Sequence, residues 1–405
     1  MKKIIAMLLA AVMLFALCAC GQKAAEAPAP APAETPAETQ TEPAATAEPE
    51  PPAETVITDM IGREVTIVPG NYKRIVCIGA GALRMFCYIG DPNLLCGVED
   101  IDNTTAAERP KMFDSVARPY VLAYGDIFNT LPSCGVGGPN AQTAEAEKIL
   151  ACEPDLVISE YEDVEKEDAL QEQLGVPVIT LKGSQNVFSE EFSGTMALLG
   201  KVLAKEQRAQ ELVDYVAAQG AEIAARVADI PDEEKPLVYI CGLGNWGTTN
   251  HLMTSAKFPV FMKAGIKNVL ADMDTPGVFA IEEEKFVDIG ADMDIMIIDA
   301  AAVKNIKPLY AEDSTMFDSS KAWQNGKVYL QMAYNAYYTN LETVLMNTWY
   351  AASIVYPEQF ADLDMTAKTN EITEMFLGKP LADQIFACPS SFGGYQQIDT
   401  ANFFS

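Results

Sequence analysis

Glu147-Lys-Ile-Leu-Ala-Cys-Glu-Pro-Asp155-Leu-Val-Ile158 is the stretch that decides the fold. Its first half reads as the end of a helix. Pro154 cannot continue that helix, and Leu156 to Ile158 form a short apolar run bounded by turn residues, which reads as a buried strand. The same order returns at Glu284-Lys-Phe-Val-Asp-Ile-Gly-Ala-Asp292, ahead of the strand-like Ile295-Met-Ile-Ile298. Upstream of the first copy lie the hairpin-like Val56 to Asp59 and Arg63 to Val68, with Gly62 in the turn. Then come the strand Arg74-Ile-Val-Cys-Ile78, the turn Gly79-Ala-Gly81, a helical stretch from Leu83 to Ile89 and the strand Leu95-Cys-Gly-Val98. In the second half, Leu237-Val-Tyr-Ile-Cys241 leads into a Gly-rich loop, and Gly326-Lys-Val-Tyr-Leu330 mirrors the strand Val176 to Leu181. A loop and a helix follow each of these last strands, near 192–203 and 341–355. Strands alternating with helices predict an α/β fold with mainly parallel sheets. Between the halves, Leu212, Val213, Val216, Ile223 and Val227 recur at helical spacing and Pro231 stops the run. That predicts a rod of roughly 36 Å. The expected organisation is an N-terminal lobe over 55–204, one long connecting helix over 205–229 and a C-terminal lobe over 230–405.

The beginning of the chain bears on compartment. Lys2 and Lys3 precede an apolar run from Ile4 to Leu17, which closes on Leu17-Cys18-Ala19-Cys20-Gly21. This is a secretory signal over 1–20, too short for a finished membrane span. Its ending resembles the bacterial lipobox, in which the cysteine, here Cys20, takes a diacylglyceryl thioether and becomes the new N-terminus. The expectation is a protein lipid-anchored to the cell membrane on its extracytoplasmic face, away from cytosolic nucleotide pools. Residues 21–54 are almost wholly Ala, Pro, Glu, Thr and Gln, with no large apolar side chains to bury, and read as a disordered stalk. A formal net charge of −29 argues against nucleic acid and anionic lipid as partners. Seven cysteines remain beyond the signal, none in a Cys-x-x-Cys pair and several inside apolar runs, so they read as buried free thiols.

Several motifs bear on function. Gly242-Leu-Gly244-Asn-Trp-Gly247 matches the dinucleotide fingerprint, but no helix starts directly after it, and a phosphate site needs that helix N-terminus. It reads instead as a wide loop at the C-terminal end of a strand, where ligands of α/β sheets bind. That loop carries Trp246, Asn250 and His251, the one histidine of the chain. A second aromatic loop, after the strand ending at Leu330, offers Tyr334, Asn335, Tyr337 and Tyr338. Arg84 behind the Gly79–Gly81 turn, and Arg118 with Tyr120, are candidate partners for a ligand carboxylate or other anion. One histidine cannot build a multi-ligand metal centre, and no Gly-x-Ser-x-Gly elbow or His-Glu-x-x-His is present. No catalytic group, resident metal or cofactor is expected, which leaves a surface-anchored hydrolase as the alternative of another class.

Taken in order, these stretches resemble the substrate-binding proteins of bacterial ABC importers for ferric siderophores, haem and cobalamin. The resemblance runs from about Val56 to Asp383 and includes Thr58-Asp59-Met-Ile-Gly62-Arg63, Arg74 to Gly81, Glu147 to Ile158 and Tyr356-Pro357-Glu358-Gln359-Phe360. It implies a two-lobed fold with ligand in the cleft, and delivery to an ABC permease in the membrane. It also implies that one carboxylate on each lobe docks on permease arginines. Glu147 matches the first such position and Glu284 is its second-lobe counterpart. The family does not name the cargo. Aromatic walls with amides fit a large metal chelate, so the expected ligand is an iron complex, siderophore or haem. A corrinoid follows, and then an oxyanion such as molybdate held by the Gly79–Gly81 turn.

Overall fold

The computed structural model describes residues 53–404. The signal, Cys20 and all but the end of the 21–54 segment lie outside the described residues. An antiparallel hairpin opens the body, β1 (Thr55–Thr58) with β2 (Glu64–Ile67). Five strands then build a parallel sheet: β3 (Ile75–Ile78), β4 (Leu95–Glu99), β5 (Ser133–Gly135), β6 (Leu156–Ser159) and β7 (Val178–Thr180). Their order is β5-β4-β3-β6-β7. The second lobe contains β8 (Leu237–Cys241), β9 (Met253–Thr254), β10 (Lys267–Asn268), β11 (Phe279–Ala280), β12 (Ile295–Asp299), β13 (Val328–Gln331) and β14 (Gln396–Gln397). Its main sheet runs β10-β8-β12-β13-β14 with only β14 antiparallel, and β9 pairs with β11. Every residue of β3, β6 and β12 is buried, as expected of parallel strands covered on both faces. In each lobe the chain leaves the central strand to one side and returns on the other. The resulting switch points, β3/β6 and β8/β12, are where α/β sheets hold ligands.

The internal repeat has a physical basis. Asp155 accepts the backbone N–H groups of Lys73 (2.7 Å) and Arg74 (2.9 Å), and Asp294 accepts that of Leu237 (2.8 Å). In both lobes an aspartate at the mouth of one strand fixes the start of its neighbour. The preceding helices also match. Ile149 and Phe286 are buried, while Leu150 and Val287 one residue later are exposed.

The connecting rod is a 22-residue helix, Glu206–Val227, whose buried stripe includes Ala209, Leu212, Val216, Ile223 and Val227. It lies against helix Glu190–Leu203. Beyond it, the expected lobe boundary needs correction. Residues 230–405 do not all belong to the second lobe, because helix Met365–Leu377 returns to the first. Phe376 meets Tyr88 edge-on at 4.9 Å, and the Tyr124 hydroxyl donates to Leu377 O at 2.6 Å. The apolar face of Ile372, Phe376 and Leu377 finds its cover there. The chain then crosses back, and β14 closes the second sheet on β13. The lobes are therefore joined by more than one rod. All seven body cysteines are unpaired thiols, six of them buried.

Candidate functional site

A cavity of about 270 Å³ lies between the lobes at the C-terminal ends of their strands. The first lobe contributes Ala80, Met112, Phe113 and Pro139. The second contributes Asn245, Trp246 and Thr248 from the Gly-rich loop, and Asn335, Tyr337 and Tyr338 from the aromatic loop. No lining side chain is charged. Trp246 bridges the lobes, its indole N–H donating to Met112 O at 3.0 Å. Asn335 Nδ2 reaches Asn245 Oδ1 at 3.4 Å, tying the two second-lobe loops together. Tyr337 donates its hydroxyl to Glu99 Oε2 at 2.5 Å, and Glu99 Oε1 accepts the Gly79 N–H at 3.2 Å. Burial pushes the Glu99 carboxyl up to about 7, against the lowering effect of these two hydrogen bonds. Tyr337 and Tyr338 both sit in the left-handed region, at φ 53° and 65°. For consecutive non-glycine residues this is a strained backbone, of the kind that clusters at ligand sites. The Tyr338 ring lies on Gly183, where a Cβ would stand 2.6 Å from the ring.

Trp246, Asn335, Tyr337 and Tyr338 thus come together at the cleft. The other candidates lie elsewhere. Arg84 is 1% exposed, and its guanidinium donates to Asn340 Oδ1 (2.9 Å) and to the carbonyls of Thr339 (2.9 Å), Ala336 (3.1 Å) and Tyr337 (2.8 Å). It stacks 4.8 Å over the Tyr120 ring and holds the aromatic loop to the first lobe. Arg118 pairs with buried Asp102 and donates to Ile101 O at 3.0 Å. Tyr120 is 1% exposed and donates to Asp102 at 2.7 Å. Both arginines are structural because the buried carbonyls and carboxylate around them need donors. Asn250 turns its amide oxygen to the Leu252 N–H at 3.0 Å, closing a local turn. His251 packs in the second-lobe core against Phe286 and Phe317, with Nε2 at 3.1 Å from Met316 Sδ. Burial depresses its pKa to about 4, so it is neutral there. Tyr334 is buried beside Phe258. A hydrophilic residue at a strand end can serve the interior as readily as the ligand, and sequence spacing does not separate the two cases.

Met112, Phe113, Pro139, Asn245 and Thr248 escaped the sequence reading. Met112 and Phe113 sit in an irregular segment with no periodicity to mark them, whereas Asn245 and Thr248 lay in the Gly-rich loop already singled out. Glu147 and Glu284 are both exposed, each in the first turn of its helix.

Two lobes, a rod and a cleft at paired switch points agree with what the chain matches: residues 75–333 fit the family described as periplasmic binding protein. The chain belongs to that family. It is 20% identical over 359 residues to the molybdate-binding protein MolA of Haemophilus influenzae, covering 80% of this chain and 91% of that one. The structure of MolA bound to molybdate superposes with a TM-score of 0.60 at 19% identity, over 80% of this chain and 98% of its own. A periplasmic solute-binding protein of Veillonella parvula gives 0.63 at 19% identity, over 83% and 96%. Helicobacter pylori CeuE in a nickel–histidine complex gives 0.54 at 16% identity, over 80% and 96%.

Proposed function

We propose that the cargo is a small oxyanion of the molybdate type, delivered to a membrane permease by a body tethered through Cys20. The observation that carries this reading is the size and neutrality of the cleft. Its volume of about 270 Å³ lies below the range of roughly 300–1,000 Å³ typical for drug-sized ligands. An anionic iron chelate would want an available cation, and the arginines expected to supply one bind the protein itself. A compact oxyanion is held instead by converging neutral dipoles. Gly79 and Gly81 adopt φ 86° and 111°, and among the described residues the N–H groups of Ala80 and Gly81 between and after them have no protein acceptor. The Tyr338 hydroxyl is likewise tied to no described residue by a hydrogen bond. The molybdate-bound relative supports the same class. Four aromatic rings, Phe113, Trp246, Tyr337 and Tyr338, favour a second reading: a flat organic chelate such as haem or a siderophore complex.

Trp246 makes the test direct. Its emission should respond to molybdate and tungstate, and Trp246→Phe should lose the response. A tight response to a ferric siderophore, haem or a corrinoid, with none to molybdate, overturns the ranking. In the docking half of the proposal, Glu147 and Glu284 meet the permease from the two lobes. The anchor has its own measurement: a fatty-acid analogue should label the wild type and not Cys20→Ser.

A further inference from the structure

We propose that Leu150 and Val287 are the apolar anchors of a docking patch that each lobe carries once, and that the permease seats both of them. This rests on the docking half of the reading above and adds to its two carboxylates the contact that prolongs the complex. The helices Ala146–Ala151 and Glu283–Gly290 are entered by matching stretches, Glu145-Ala-Glu-Lys-Ile-Leu150 in the first lobe and Glu282-Glu-Glu-Lys-Phe-Val287 in the second. Burial matches position for position. Ile149 and Phe286 are 0% exposed, whereas Leu150 and Val287 are 42% and 47% exposed. Glu147 and Glu284 stand three residues earlier, on the same helix face, and both are exposed. The lysine that follows each is neutralised locally: Lys148 pairs with Glu145 at 2.8 Å, and Lys285 with Asp288 at 3.1 Å. Among the described residues, neither Glu147 nor Glu284 has an ion-pair or hydrogen-bond partner. Each patch therefore offers one free carboxylate and one bare aliphatic side chain about a turn apart.

Both patches begin at the cleft end of their sheets. The Glu145 carboxylate accepts the Val136 N–H at 2.6 Å, which fixes the first helix start at the C-terminal end of β5. Ile281, just before the second helix, donates to Leu252 O at 3.0 Å, in the Gly-rich loop after β8. One exposed aliphatic residue needs no explanation, since eight large apolar side chains are exposed among the described residues. Only Leu150 and Val287 fall at the same place in a duplicated stretch, each beside an unpaired carboxylate. A duplicated patch fits a partner with two equivalent receptors, each an apolar hollow next to a cation. A second copy of this chain would set carboxylate against carboxylate, and the net charge of −29 opposes both that and an anionic lipid surface. The two residue types divide the work. An exposed ion pair is screened by salt and acts mainly on the encounter rate, whereas burying an aliphatic side chain slows dissociation at any salt concentration.

The experiment immobilises the full-length protein by its N-terminal end and passes the permease over it in detergent micelles at several salt concentrations, with empty micelles as the control. Leu150→Ser and Val287→Ser should each raise the dissociation rate about tenfold at every salt concentration, with association little changed. The double variant Glu147→Ala, Glu284→Ala should instead slow association and flatten its fall with salt. Val164→Ser and Met262→Ser, exposed apolar positions outside the repeat, should dissociate as the wild type does. Unfolding temperatures should stay level across the set, because every substituted side chain is exposed. Wild-type dissociation from both Leu150→Ser and Val287→Ser, with the glutamate variant impaired, overturns this inference and leaves the docking reading standing. An equal loss in Val164→Ser or Met262→Ser overturns it too, since the contact would then not be the repeated patch. A wild type that binds the permease no better than empty micelles, or wild-type kinetics in the glutamate variant, removes the docking reading itself and this inference with it.

Discussion

Replacing Arg84 with alanine strikes the contact that holds the two lobes in register. The guanidinium reaches four acceptors at 2.8–3.1 Å, all on the 336–340 segment of the opposite lobe. A hydrogen bond from a charged donor contributes about 1.5–3 kcal/mol, and breaking a buried charged network costs about 3–5 kcal/mol. The four bonds share one side chain and do not add. Truncation also leaves carbonyls buried without donors and frees the strained backbone at Tyr337 and Tyr338. The expected loss is therefore about 4 kcal/mol, a fall in Tm on the order of 5–10 °C for a body of this size. Arg84→Lys should recover less than half, because one ammonium cannot fork to four acceptors. Thermal and guanidinium unfolding measure the loss. Hydrogen exchange at the Ala336 and Asn340 amides, which donate to Tyr338 O and Tyr334 O, localises it. A variant within about 1 kcal/mol of wild type, with those amides equally protected, refutes the clamp.

Three further outcomes are expected. Gly183→Ala places a Cβ 2.6 Å from the Tyr338 ring, so the ring must move out of the cleft lining. Cargo affinity should fall about tenfold, with a stability cost of about 1–2 kcal/mol, and unchanged affinity in a titration would show that the ring does not touch ligand. His251→Leu should leave cargo affinity intact. The folded state depresses His251 from 6.5 to about 4, so its contribution to stability is full above pH 6.5 and is lost as pH falls toward 4. The leucine variant should lose less stability than wild type across that window, as denaturation curves at pH 7 and pH 4 will show. Substituting both Glu147 and Glu284 with alanine should change stability by less than about 0.5 kcal/mol and leave ligand affinity alone, because both side chains are exposed. Uptake through the permease should collapse, and normal uptake by the double variant removes both residues from the docking surface.

Much of this architecture was legible because it is carried by local signals. The strand β6 and the helix Leu341–Val355 stand where apolar runs and turn residues placed them, since a parallel strand buried on both faces must be continuously apolar. The strand-mouth aspartate was only half legible: the second copy of the motif was read to Asp292, whereas Asp294 is the residue that does in the second lobe what Asp155 does in the first. Helix Met365–Leu377 shows the opposite case. Its apolar stripe is visible in the chain, but which lobe covers it depends on contacts with Tyr88 and Tyr124, more than two hundred residues away in sequence.

The cleft divides along the same line. Its loops could be found, since Gly-rich and aromatic segments after strand ends are marked by residue type. Which side chains in those loops face outward could not. Arg84, Arg118 and His251 carry functional groups that a ligand or a protein interior could equally use. For Arg84, four acceptors of another lobe, brought within reach only by folding, settled the matter. Periodicity and turn chemistry act over a few residues, so the order of strands and helices is written along the chain. Which polar groups stay free for ligand depends on folding, because satisfaction of a buried donor or acceptor is a property of its neighbours in space.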